Sequence, residues 1–226
     1  MTIKQKLGAP IKFKKAKIPS KKNLNGEYVV LEPININKHS KGLYTNFSKD
    51  KENRIWRYLP YGPFKSYGSF KKWLKSFCLK KDPFFYAIYA KRHKQFCGMA
   101  SYLRITPEHG SIEVGHINYS PILQNTAEGT ETMYLMKKNA FEALGNRRYE
   151  WKCNNLNMAS KNAAKRLGFK FEGVFRQMFV FKRRNSDSAW FSIIDKEWKK
   201  IKKAYQKFFK ASNFDKNQKQ KIKLKF

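Results

Sequence analysis

The sequence predicts an α/β (α+β) domain: a mixed, mostly antiparallel twisted sheet of about seven strands flanked by helices. Three observations carry that expectation. Residues 84–119 read as three successive strands joined by short turns. Residues 112–194 then alternate strand and helix patterns. No glycine-rich turn follows the first strand, which sets aside a doubly wound nucleotide-binding sheet.

Taken in order, residues 1–22 combine lysines and two prolines with no apolar periodicity, so a disordered basic arm is expected there. The first strand covers 28–31 and is closed by Pro33; a short helix follows over 38–47. Residues 55–63 mix aromatics with turn formers and read as a loop. Phe70, Trp73, Leu74 and Phe77 recur at three- and four-residue spacing, which predicts a helix over 69–78. Strands at 84–90 and 96–103 pair about the charged turn 91–94, and a turn at 106–110 leads into a strand over 112–119. The long helix 131–144 is expected to carry Thr130 as its N-cap and Gly145 as its stop, with Met133, Met136, Ala140, Phe141 and Leu144 facing the core. A strand at 148–153 precedes a helix capped by Asn157 and ended by Leu167 and Gly168. Strands at 171–174, 178–182 and 190–194 complete the sheet, and a basic amphipathic helix at 198–209 lies beyond the core. The expected organisation is an arm (1–22), one folded domain (23–198) and a basic helix and tail (199–226).

A chain of 226 residues that is 41% hydrophobic and 16% aromatic can bury one sizeable core. No stretch approaches the roughly 18 to 20 apolar residues that span a bilayer. The basic N-terminus lacks the apolar segment of a secretory signal. Cys78, Cys97 and Cys153 are odd in number and without metal-ligand spacing, and the four histidines are scattered. Reduced thiols, a cytoplasmic location and no metal are therefore expected. The net charge is +33; residues 1–22 hold eight lysines and no acid, and residues 199–226 hold eleven lysines against Asp215. Such a field attracts polyanions such as RNA, ribosomes or cofactor phosphates, although lysine usage for solubility accounts for it equally well.

The segment with most chemical content is 115–131, where a strand leaves the sheet, turns through small residues and enters a helix. Free amides of such a turn make a positive cradle for a pyrophosphate, with Ala127 and Gly129 small enough to admit phosphate oxygens. An ordinary capped helix after a polar loop reads the same way.

Gln124-x-x-Ala127-x-Gly129 resembles the coenzyme A motif of the GNAT superfamily, Q/R-x-x-G-x-G/A, with alanine in place of the first glycine. Residues 149–154 and the run Asn157-x-x-Ser160-x-x-Ala163-Ala164-x-x-Leu167-Gly168-Phe169-x-x-Glu172-Gly173 resemble the second half of that fold. The resemblance is to the branch containing bacterial ribosomal-protein N-terminal acetyltransferases and covers roughly residues 25–198. It implies the GNAT fold and acetyl-CoA as co-substrate. It also implies cofactor contacts from Gln124, Asn125, Thr126, Ala127, Gly129, Thr130 and Asn157, with Ile117 and Tyr119 pairing with the pantetheine arm and an amide near Tyr119 facing the thioester oxygen. Many relatives carry a tyrosine acid where Ala164 stands here; Ser160 instead matches the serine that protonates coenzyme A in the ribosomal branch. That branch has a glutamate where Phe179 stands. Glu113 then becomes the candidate base, since strand alternation places it on one face with Gly115, Ile117 and Tyr119 and turns His116 away; a structural acid is an equal reading. Glu131 is expected to serve the helix dipole, and Glu172 the loop around Gly173. Arg54, Trp56, Arg57 and Tyr58 fall in the segment that shapes the acceptor groove, or are surface and packing only.

The expected activity is direct transfer of an acetyl group from acetyl-CoA to a primary amine. A protein N-terminus, ribosomal ones included, is favoured and a small-molecule amine stays open. The alternative is a catalytically weak GNAT scaffold that binds RNA or ribosomes through its basic tails.

Overall fold

A computed structural model describes residues 7–215 and 220–226. The strands are β1 (Leu24–Asn25), β2 (Val29–Pro33), β3 (Phe84–Ala90), β4 (Gln95–Thr106), β5 (Ser111–Tyr119), β6 (Arg148–Asn154), β7 (Lys170–Phe181) and β8 (Arg184–Ile194). They form one sheet in the order β1-β2-β3-β4-β5-β6-β8-β7, in which only the β5–β6 pair is parallel. The helices are α1 (Ile36–Phe47), α2 (Tyr67–Phe77), α3 (Ala127–Lys138), α4 (Met158–Arg166) and α5 (Asp195–Phe208).

Alternation along the strands sorts the apolar residues onto two faces. On one face Val29, Tyr86, Tyr102, Val114, Tyr149 and Phe191 pack with α3, α4 and α5. On the other, Phe85, Ala87 and Met99 pack with α1 and α2 through Leu43, Phe47, Phe70 and Leu74. The sheet residues of the second cluster come from β3 and β4, so most of the same face of β5–β8 lies beyond it.

Several elements differ from the sequence reading. The long helix begins at Ala127, and its N-cap is Thr126, not Thr130: Thr126 Oγ1 accepts from the Gly129 amide at 3.1 Å. Thr130 lies within the helix and donates its hydroxyl to Thr126 O at 3.0 Å. The helix closes through a π turn, Asn139–Ala143, before Gly145 at φ 76°. The strands expected at 171–174 and 178–182 are one strand, β7, interrupted by register shifts. It joins β8 through Lys182 and Arg183, both at positive φ (49° and 61°), a hairpin turn made without the Asn or Gly that usually announces one. Helix α5 is not outside the core: Trp198, Ile201, Tyr205 and Phe208 are buried in it. In the N-terminal arm, residues 7–22 carry no helix and no strand, yet they are placed: Ala16 N donates to Pro107 O (3.0 Å) and Lys17 N to Leu144 O (2.7 Å). Residues 1–6 of that arm lie outside the described residues.

Candidate active site

Two irregularities open the sheet at its centre. The β5–β6 ladder pairs only Ser111–Val114 with Arg148–Trp151, so the strands part beyond Val114. On its other edge β5 carries a bulge. Gly115 pairs with Ser101 and Asn118 with Met99, which leaves His116 and Ile117 opposite the single residue Ala100. His116 takes φ 49° to make this turn. The bulge corrects the alternation assumed from sequence: Ile117 and Tyr119 lie with the α3-side core, whereas Glu113 and Gly115 pair with Leu103 and Ser101 on the opposite face. Backbone at 116 and 117 is outside the paired register on both sides. These two residues therefore stand where the strand has no register partner.

The cleft is a cavity of about 990 Å³. At one end stands the loop before α3. The amides of residues 124–128 have no partner among the described residues, whereas Gly129 N and Thr130 N are taken by Thr126. Five successive free amides at a helix N-terminus form an anion cradle. The free amides thus span 124–128. Gln124 donates Nε2 to Tyr119 O (2.9 Å) and Asn125 takes φ 58°, which together fold the loop. Packing demands glycine at 129: a Cβ there would stand 2.7 Å from Leu123 O and 3.1 Å from the Tyr119 ring. Gln124, Asn125, Thr126 and Gly129 line the cavity; Ala127 and Thr130 do not, and Ala127 contributes only its amide. Arg166, which the sequence reading missed, lines the same end and donates to Thr130 Oγ1 at 3.3 Å.

Ser160 and Asn157 line the same cavity as Ile117 and Tyr119. Asn157 caps α4, its Oδ1 accepting from Ser160 N at 3.1 Å. Ser160 Oγ accepts the indole N–H of Trp151 at 3.0 Å, and its hydroxyl also lies within hydrogen-bonding reach of the Cys153 thiol.

Glu113 is 3% exposed and lines the cavity. Both its oxygens accept from Arg104 Nη1 at 2.8 Å, and Lys152 Nζ stands 3.0 Å away. Arg104 reaches it from a bulge where it takes φ 46°, with Asp82 accepting the Arg104 and Ile105 amides. Burial raises the Glu113 pKa above the usual carboxylate range, against the pull of the two cations. The ion pairs continue from Lys152 through Glu150 to Arg148 and Glu172. Glu172 therefore accepts from Arg148 Nη1 at 2.8 Å and from Ser192 Oγ at 2.6 Å, where a hold on the loop around Gly173 was expected. Glu131 is likewise no first-turn charge: it accepts the amides of Glu27, Tyr28 and Val29 at 2.7–2.8 Å and fixes the start of β2. His116 pairs its Nδ1 with Tyr61 OH at 3.1 Å among Tyr61, Phe77 and Phe85, and burial pushes its pKa down to about 4.

The far end of the cavity is roofed by residues 54–60 and by the β7–β8 hairpin, which supplies Phe179 and Phe181. Lys182 Nζ donates to the carbonyls of Trp56 (3.1 Å) and Arg57 (3.2 Å) and locks the two together. Arg54, Arg57 and Tyr58 line the cavity; Trp56 is buried among Phe47, Tyr61 and Phe64 and belongs to the core.

The family described as Acetyltransferase (GNAT) domain matches residues 29–170. Among solved structures, a GCN5-related N-acetyltransferase from Brucella melitensis is 38% identical with a TM-score of 0.92, covering 94% of this chain and 96% of that one. A GNAT-family protein from Chromobacterium violaceum is 39% identical with a TM-score of 0.79, covering 88% of this chain and 99% of that one. The microcin C7 self-immunity acetyltransferase MccE, solved with acetyl-CoA and AMP, shares the fold at 17% identity and a TM-score of 0.65, over 75% of this chain and 93% of that one. No curated protein matches. With a family model over residues 29–170 and a 38% identical structure spanning 94% of it, the chain belongs to the GNAT acetyltransferases.

Proposed function

We propose that this acetyltransferase moves the acetyl group of acetyl-CoA directly onto a primary amine, with a protein N-terminus, ribosomal proteins included, as the favoured acceptor. One observation carries the reading: a single cavity joins the amide cradle at 124–128 to Ser160 and onward to Glu113. The cradle and Arg166 hold the diphosphate. Asn157 and the unpaired backbone of 116–117 orient the pantetheine arm, with an amide of the bulge facing the thioester oxygen. Ser160, its lone pair occupied by Trp151, gives a hydrogen bond to the departing sulfur. Glu113, with its raised pKa, receives the proton that the amine loses, through water. Phe179 and Phe181 wall the acceptor end.

The test is thermal unfolding with acetyl-CoA, followed by thiol release in the presence of N-terminal peptides. Acetyl-CoA at about 100 times its dissociation constant should stabilise the fold by about 2.7 kcal/mol. Absence of both stabilisation and thiol release rejects the reading.

A second reading concerns partners. The outward face of α5 carries Lys196, Lys199, Lys200, Lys203 and Lys207 at helical spacing, opposite its buried aromatic face. This basic stripe and the tails suit contact with RNA or a ribosomal surface beside the catalytic role.

A further inference from the structure

The acceptor end of the cavity is rich in cations and holds one acid. Arg57 is exposed there, and its side chain makes no hydrogen bond or ion pair among the described residues. Arg104 spends only Nη1 on Glu113 and is 48% exposed, so the rest of its guanidinium fork faces solvent and cavity. Lys182 lays a further charge across the rim. Glu113, the acid at this end, is already held by Arg104 and Lys152 and has little capacity left for an ammonium group. A lysine-rich or otherwise cationic acceptor meets like charge here, and among the described residues no carboxylate lining the cavity is free to offset it.

We infer that the acceptor is an amine bearing an anionic group, a carboxylate or a phosphate, close to the nitrogen, and that Arg57 and the free edge of Arg104 bind that group. The inference rests on the transfer reading above and names the substrate class of the same site. Guanidinium is suited to both anions, because its planar fork matches two oxygens at once. The same cations favour the neutral form of the incoming amine, which is the form that attacks. The anionic substituent therefore supplies binding, and the basic lining supplies a deprotonated nucleophile.

The experiment uses the full chain with acetyl-CoA and two matched sets of acceptors. The first is a peptide with aspartate, phosphoserine, serine or lysine at its second position. The second is β-alanine, phosphoethanolamine and propylamine. The anionic members of either set should exceed the neutral ones in kcat/KM by about tenfold, the effect of one charge-assisted contact. The two anions separate carboxylate from phosphate. Arg57→Glu should remove the preference, chiefly through KM, and raise turnover of the lysine peptide. Lys199→Glu, the same charge change on the outer face of α5, should leave the order unchanged. Equal rates, a preference for the lysine peptide, or an equal response to Lys199→Glu overturns the inference, as does turnover of no acceptor by a protein that acetyl-CoA still stabilises. Loss of the acetyl-CoA stabilisation itself is a different failure and rejects the transfer reading.

Discussion

At the scale of single residues, Ser160 and Glu113 can be separated by what they hold. Ser160→Ala removes one hydroxyl beside Trp151 and should lower kcat by about tenfold to a hundredfold while leaving the acetyl-CoA thermal shift in place. Retained kcat would make Ser160 a cap neighbour only. Glu113→Gln keeps the shape but frees Arg104 and Lys152; as a base, Glu113 is required most below the acceptor's own pKa, so the variant should lose most rate at the acid end of the pH profile and recover as pH rises. A uniform loss across pH marks a structural acid. His116 gives a stability prediction with a defined sign. Its folded pKa of about 4 lies below the ordinary value of 6.5, so between these the unfolded chain binds the extra proton. Stability then falls as pH falls through that window, by up to about 3 kcal/mol for this one group. Denaturant midpoints from pH 7 to 4 should drop less steeply in His116→Gln, and an unchanged slope refutes the assignment. Ser160, Glu113 and Arg57 were legible as candidates, but Arg104 and Arg166 were not. In a chain with 49 lysines and arginines, a basic residue carries no signal until its position is known.

At the scale of elements, the decisive feature is the start of α3. Thr126 as N-cap consumes the Gly129 amide and leaves those of 124–128 outward, so moving the cap by four residues changes which amides can hold phosphate. Ala127 is the first helical residue, where proline is compatible with the backbone, and Thr126 before it is already extended at φ −111° and ψ 166°. Ala127→Pro should therefore fold and lose one cradle donor. Acetyl-CoA affinity measured by calorimetry should fall roughly tenfold, in line with one hydrogen bond to a charged group. Unchanged affinity in a folded variant means that the diphosphate is held elsewhere. Strands and helices were readable from periodicity. Bulges were not, because the positive φ values of Arg104 and His116, like those of the Lys182-Arg183 turn, fall on residue types that do not advertise them. The cap was missed because Thr126 and Thr130 stand one turn apart and either can precede a helix.

At the scale of the whole molecule, the mixed sheet and its flanking helices followed from the order of elements, whereas the place of α5 did not. Its lysines mark it as surface, yet the aromatic stripe Trp198, Tyr205 and Phe208 seals the main core. Burying that stripe fixes the opposite face outward, so the lysines form a rigid row and not a loose tail. A rigid cationic row binds a phosphodiester chain by releasing condensed counterions, which makes affinity fall steeply with salt. Single-stranded RNA should therefore bind with a log-log salt slope near −0.7 for each phosphate contacted, so replacing Lys199, Lys200 and Lys203 together by glutamine should flatten the slope by about two units. These positions are outside the cavity, so the triple variant should keep its acetyl-CoA thermal shift and its kcat on a short peptide. A salt slope unchanged by the triple variant would assign any RNA affinity to the tails, and salt-independent binding would remove the polyanion reading of the charge altogether.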